Sequence, residues 1–172
     1  MMSCKNERCV CEKVRLIADA QDQVNDHCCT SSCERSIDEL LSPTSSDKNT
    51  IPFLLLCGCE SKFPGKPFFG TGVKVDDGCF KTVHSPFFRV KKFVEGTECC
   101  AILELLFPHD RSDCKHRGFR RFARSGICLE VDLSCFTGIT CFPAVNADNS
   151  NTMRGCDLDA AMDLIEDMRD DL

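Results

Sequence analysis

Ile127-Cys128-Leu129-Glu130-Val131-Asp132-Leu133-Ser134-Cys135-Phe136 is the clearest alternation in the chain. Successive side chains of a strand point to opposite faces, so Ile127, Leu129, Val131, Leu133 and Cys135 are expected to face a core. Cys128, Glu130, Asp132 and Ser134 then face outward. Other short apolar runs surround this segment: IPFLLLC at 51–57, GTGVKV at 70–75, FFRVKKFV at 87–94 and CAILELLF at 100–107. Gly- and Pro-bearing turns such as SKFPGKPFFG separate them, and no long helix alternates with them. That pattern predicts a predominantly antiparallel β domain, a sandwich or a partly closed barrel.

Helical periodicity is confined to the ends. Val10, Val14, Ile17, Gln21 and Val24 recur at steps of three and four, predicting an amphipathic helix from Cys9 to about His27. A shorter helix is expected from Glu34 to Leu41, before Pro43. Near the end, Leu158, Met162, Ile165 and Met168 form a narrow apolar stripe among acidic residues, with Asp157 placed to cap. The expected organisation is a cysteine-bearing helical region (1–42) packing on a cysteine-rich β domain (43–143), then a linker and acidic amphipathic helix or tail (144–172).

Composition narrows the function. The chain has 172 residues, enough for a full core without bridges, yet carries 16 cysteines. A net charge of −6 argues against nucleic acid as a partner. The apolar runs fall short of the roughly 20 residues a membrane helix needs, and no signal-peptide pattern opens the chain. The basic stretch HDRSDCKHRGFRRFARSG reads as an exposed loop, with base stacking or attraction to an acidic surface as alternatives. Asp76 and Asp77 read as a turn ending at Gly78 rather than a calcium loop. His27, His84, His109 and His116 lie near cysteines, but no motif supplies a third catalytic partner, so no enzyme activity is expected.

The cysteines themselves leave two readings. Cys9, Cys11, Cys28, Cys29 and Cys33, with His27, hold enough donors for zinc, which would make this a zinc-binding accessory or adaptor protein; their spacing repeats no paired zinc unit. The other reading is linkage between chains. Cys99 and Cys100 are neighbours on a strand start, so their side chains diverge and seek different partners. Paired phenylalanines, Phe68-Phe69 and Phe87-Phe88, likewise send one ring of each pair away from the other, offering docking anchors.

Several segments resemble the bacterial spore coat family of coat proteins Y and Z, which includes a related exosporium basal-layer protein. They are CVCEKVRLIADAQ, IPFLLL, CFKTVHSPFFRVKKF, ECCAILELL and CLEVDLSCFTGITC, in that order between about Cys9 and Pro143. The resemblance implies a structural, cofactor-free protein of the spore's outer layers: coat, crust or exosporium basal layer. It implies self-assembly into an ordered, disulfide-crosslinked lattice, with hexameric units as a building block, that anchors other coat or exosporium proteins. The cysteines matching the family are Cys9, Cys11, Cys28, Cys33, Cys79, Cys99, Cys100, Cys128, Cys135 and Cys141. Thr137 departs from the pattern, where relatives often have a further cysteine, and Cys57, Cys59 and the acidic extension with Cys156 look additional.

Overall fold

The computed structural model describes residues 9–24, 29–44, 47–110, 114, 118–149 and 155–170. In chain order the elements are helices α1 (Cys9–Val24) and α2 (Cys33–Leu41), then strands β1 (Phe53–Cys57), β2 (Gly70–Asp76), β3 (Cys79–Ser85), β4 (Phe87–Phe93), β5 (Cys100–His109) and β6 (Arg121–Asp132). A 3-10 turn (Leu133–Cys135), strand β7 (Phe136–Cys141) and helix α3 (Gly155–Arg169) complete the chain. Residues 1–30 and 31–172 form separate compact units. In the first, α1 exposes the expected stripe of Val10, Val14, Ile17 and Val24.

Antiparallel pairing dominates the second unit, as the strand pattern predicts. Five strands form one sheet in the order β6-β5-β4-β1-β7, and β2 and β3 form a separate hairpin. The two sheets are not closed into a barrel. The large sheet is nevertheless strongly curled, because its outermost strands, β6 and β7, are joined by three residues, Leu133–Cys135. Laid flat, five strands would separate those edges by about 19 Å. The connection spans at most about 14 Å. The sheet accommodates this by opening between β1 and β4, which share the single register pair Phe53↔Phe88, whereas β1 and β7 pair from Phe53↔Cys141 to Cys57↔Phe136.

Both faces of the sheet are covered. Along β5, Ala101, Leu103, Leu105 and Phe107 enter one cluster with Phe53, Leu55, Phe88 and Val131, capped by Val83 of the hairpin and Ala161 and Ile165 of α3. Leu106 points the other way into a second cluster with Phe87, Phe122 and Ala147. Phe87 meets Phe119, Phe122 and Phe142 edge to face at centroid distances of 5.3–5.6 Å. Phe87 and Phe88 do diverge as neighbouring strand residues must, and both rings are buried, one in each cluster. Phe68 and Phe69 are half-buried, Phe68 stacking on Phe88 at 5.8 Å.

Three features differ from the sequence expectation. The alternating segment stays a strand only to Asp132; Asp132 then caps the 3-10 turn by accepting from Ser134 N at 3.0 Å and Ser134 Oγ at 2.6 Å. Cys135 therefore lies exposed on a turn instead of facing the core. Secondly, the latter half of the basic stretch is β6 itself, starting at Arg121; residues 111–113 and 115–117 lie outside the described residues. Thirdly, Cys79–Ser85 is a strand, turned back on β2 by Asp77 and Gly78 at φ 48° and 77°, the pair of positive angles that a tight Asp-Gly hairpin requires.

The hairpin is seated by two small residues. A Cβ at Gly72 would collide with Cγ2 of Ile127 and lie 3.2 Å from Leu105 Cδ1. Gly72→Val is expected to lower stability by about 1–3 kcal/mol, the usual penalty for overpacking. Urea denaturation followed by circular dichroism measures it.

Candidate functional site

Three chain segments that carry cysteines converge where the curled sheet is bridged. Cys57 ends β1 opposite Phe136, the first residue of β7. Cys100 begins β5 opposite Asp132, the last residue of β6, and the Cys99 carbonyl accepts from Leu133 N at 2.9 Å. Cys135 sits between them on the turn. Gly58 is pressed against it, since a Cβ there would collide with the Cys135 carbonyl oxygen. Cys57, Cys59, Cys99, Cys100 and Cys135 thus form one rim, and none is in a disulfide. Cys59, Cys99 and Cys135 are exposed; Cys57 and Cys100 are half-buried.

Beside this rim the split between β1 and β4 forms an apolar groove of about 460 Å³, walled by Leu55, Val90, Phe93, Leu133, Phe136 and Ile139 among others. Asp132 holds the turn in place: hydrogen bonds from the Ser134 side chain and then its backbone keep the Asp132 carboxyl below the ordinary value.

Among the described residues one disulfide is formed. Cys33 at the start of α2 bonds Cys141 at the end of β7, with Cα atoms 4.9 Å apart and a sequence separation of 108. The same helix face adds polar contacts. The Ser36 hydroxyl lies 2.7 Å from the Phe142 carbonyl and 2.9 Å from that of Ser32, and Ala144 N donates to Glu39 Oε2 at 3.3 Å. Ser32 caps the helix by accepting from Arg35 N at 3.1 Å. This bridge takes Cys33 out of the zinc reading, and among the described residues no group of three or more His, Cys, Asp or Glu is placed to hold a metal.

The outer side of the sheet carries a buried carboxylate. Glu104 on β5 accepts from Arg124 Nη2 at 3.2 Å, from Arg89 Nη1 at 3.4 Å and from Gly126 N at 3.1 Å, with Lys91 Nζ at 3.7 Å. Burial alone would raise its pKa; hydrogen bonds from Arg124 and Gly126 and the charges of Arg124 and Lys91 outweigh that and hold it below the ordinary 4.5. It fixes the registers of β4 and β6 on β5.

The remaining candidates are scattered. Cys128 is exposed on β6 opposite Glu104, on the outward side that the alternation predicts, and Cys79 is exposed at the hairpin tip. Cys11 is exposed on α1, which also contains Cys9; Cys28 lies outside the described residues. His84 and His109 have polar partners, Thr71 Oγ1 at 3.0 Å and Asp148 Oδ2 at 2.8 Å, and neither is set against a thiol. Cys57 and Cys59 were legible only as a CGC pair ending a strand; Val90 and Phe93 were legible as strand residues, and nothing in the sequence marked them or Ile139 as walls of a groove.

Among the described residues the core closes without most of the cysteines, and most of the free thiols lie on the outside of a cysteine-rich β domain. The chain belongs to the spore coat protein Z family, whose sequence model matches residues 2–144. It is similar to spore coat protein Z of Bacillus subtilis (strain 168), with 37% identity over 150 residues, covering 81% of this chain and 92% of that protein. No solved structure matches the chain. Helix α3 lies beyond the matched residues.

Replacing both Cys33 and Cys141 by serine is expected to cost about 2–5 kcal/mol, the range for a bridge that closes a long loop. Because α2 is held chiefly through that end of β7, limited proteolysis should cut first between residues 31 and 50. Denaturation together with mapping of the first cleavage site checks this.

Proposed function

We propose that this chain is a self-assembling subunit of the spore's outer layers, laid down as an ordered, disulfide-crosslinked lattice that anchors other coat or exosporium proteins. Membership of the spore coat protein Z family supports the structural role and the outer-layer location in the coat or exosporium. The observation that carries the crosslinking is the exposure of the unbridged thiols: seven of the ten free cysteines among the described residues are exposed.

The spacing of two thiols on one face supports this reading. Cys100 lies opposite Asp132, four residues along β6 from Cys128, so about 13 Å of strand separates the two positions. A disulfide needs Cα atoms within about 7 Å. Cys100 and Cys128 therefore cannot bond each other, which supports partners on other molecules.

Assembly of this kind works in two stages. Repeated weak contacts first bring folded subunits together, and oxidation then makes the contacts persistent. Disulfides withdrawn from reducing solvent leave a layer whose lifetime is kinetic, which suits a protective shell. Hexameric units are one closed arrangement that a sheet could repeat. Cys9, Cys11, Cys28, Cys79, Cys99, Cys100, Cys128 and Cys135 are the proposed crosslinking positions, with Cys33–Cys141 kept within the chain. The half-buried rings of Phe68 and Phe69 are the contact candidates of the two phenylalanine pairs that retain accessible surface.

Negative-stain electron microscopy of the purified protein before and after prolonged reduction tests the reading. Ordered sheets or arrays that loosen with reductant are expected. Dispersed monomers under both conditions would contradict it.

A further inference from the structure

We propose that the tip of the β2–β3 hairpin of one molecule docks in the apolar groove at the β1–β4 split of a second copy, where Cys79 of the tip bonds Cys135 on the groove's rim. The inference rests on the assembly reading above and specifies one of its contacts.

The tip is an apolar knob. Val75 and Phe80 are cross-strand partners on one face of the hairpin, and Phe80 is 81% exposed. Burying such a ring is worth about 1.5–3 kcal/mol. The hairpin's base is seated through Gly70, Gly72 and Val83, whereas residues 75–82 are all exposed. Two residues with positive φ, Asp77 and Gly78, make the end narrow, and Cys79 follows at once.

The groove supplies the complement. Val90, Phe93 and Ile139 in its wall are 45%, 54% and 54% exposed. Cys135 lies on the turn between two other wall residues, Leu133 and Phe136. The molecule's own hairpin rests against Leu105 and Ile127, and no hairpin residue lines the groove. A second copy is the occupant that brings an apolar knob and a thiol in one narrow element. Since tip and groove are different surfaces, each molecule gives one and receives one, and the contact propagates instead of closing on itself.

The covalent step is thiol–disulfide exchange with a small-molecule disulfide such as oxidised glutathione. Cys79 and Cys135 each give up a proton and together two electrons; one S–S bond forms between the chains, and the glutathione disulfide is reduced to two thiols.

Full-length protein, purified reduced and then exposed to oxidised glutathione, provides the test. Wild type and Phe80→Leu should form arrays and yield a Cys79–Cys135 linked peptide on digestion. Phe80→Asp should yield at least tenfold less of it, with an unchanged circular dichroism spectrum. Arrays of wild type in which Cys79 is unlinked or bonded elsewhere, or undiminished linkage in Phe80→Asp, would overturn the knob-in-groove contact and leave the coat-subunit reading standing. Failure of the wild type to assemble at all would overturn both. Should Phe80→Asp misfold, the presence or absence of the linked peptide in wild type and Phe80→Leu arrays decides the matter alone.

Discussion

The short bridge between β6 and β7 is the constraint from which the arrangement follows. Three residues join strands that lie at opposite edges of a five-stranded sheet. The sheet has to curl until those edges approach, and it yields where pairing is thinnest, at the single β1–β4 register pair. Curling gathers the end of β1, the start of β5, the end of β6 and the start of β7 at one mouth. The end of β1, the start of β5 and the turn between β6 and β7 each carry cysteine at that point. The yielding opens the apolar groove. A thiol rim and a groove beside it are thus consequences of one connection, and Asp132 secures that connection through its bonds to Ser134.

Cysteine use divides along the same line. The bond between Cys33 and Cys141 fastens α2 to the outer strand β7 and is a fold interaction. Core packing owes little to the others: β5, hairpin and α3 are joined by Leu103, Leu105, Phe107, Val83, Ala161 and Ile165, and the opposite face by a group of edge-to-face phenylalanine rings. Such burial and aromatic geometry is sufficient for a domain of this size. The unbridged thiols are left available for contacts beyond the chain. Helix α3, outside the family-matched residues, covers one face of the sheet through Ala161 and Ile165.

Strand content was legible where alternation or a dense apolar run was strong, as at Phe53–Cys57, Gly70–Asp76, Phe87–Phe93 and Cys100–His109. It was illegible in Cys79–Ser85 and Phe136–Cys141, for a physical reason. Most of Cys79–Ser85 overhangs into solvent, so only Val83 and Ser85 are buried, and β7 is an edge strand with just Phe136, Gly138 and Cys141 partly covered. Burial is what writes periodicity into a sequence. Cys135 shows the opposite failure, where a perfect alternation continues past the strand because a capped turn replaces its last three residues. The thiol rim itself depends on strands far apart in sequence lying side by side, and no local pattern encodes that.

The most direct measurement is isotope-resolved disulfide mapping of assembled material made from equal amounts of 14N- and 15N-labelled chains. Cys33–Cys141 should appear only in peptides of uniform label, whereas bridges of Cys99, Cys100, Cys128 and Cys135 should appear in mixed-label pairs. Mixed-label Cys33–Cys141, or rim cysteines paired solely within uniform chains, would contradict the division between a bond that holds the fold and thiols that join molecules.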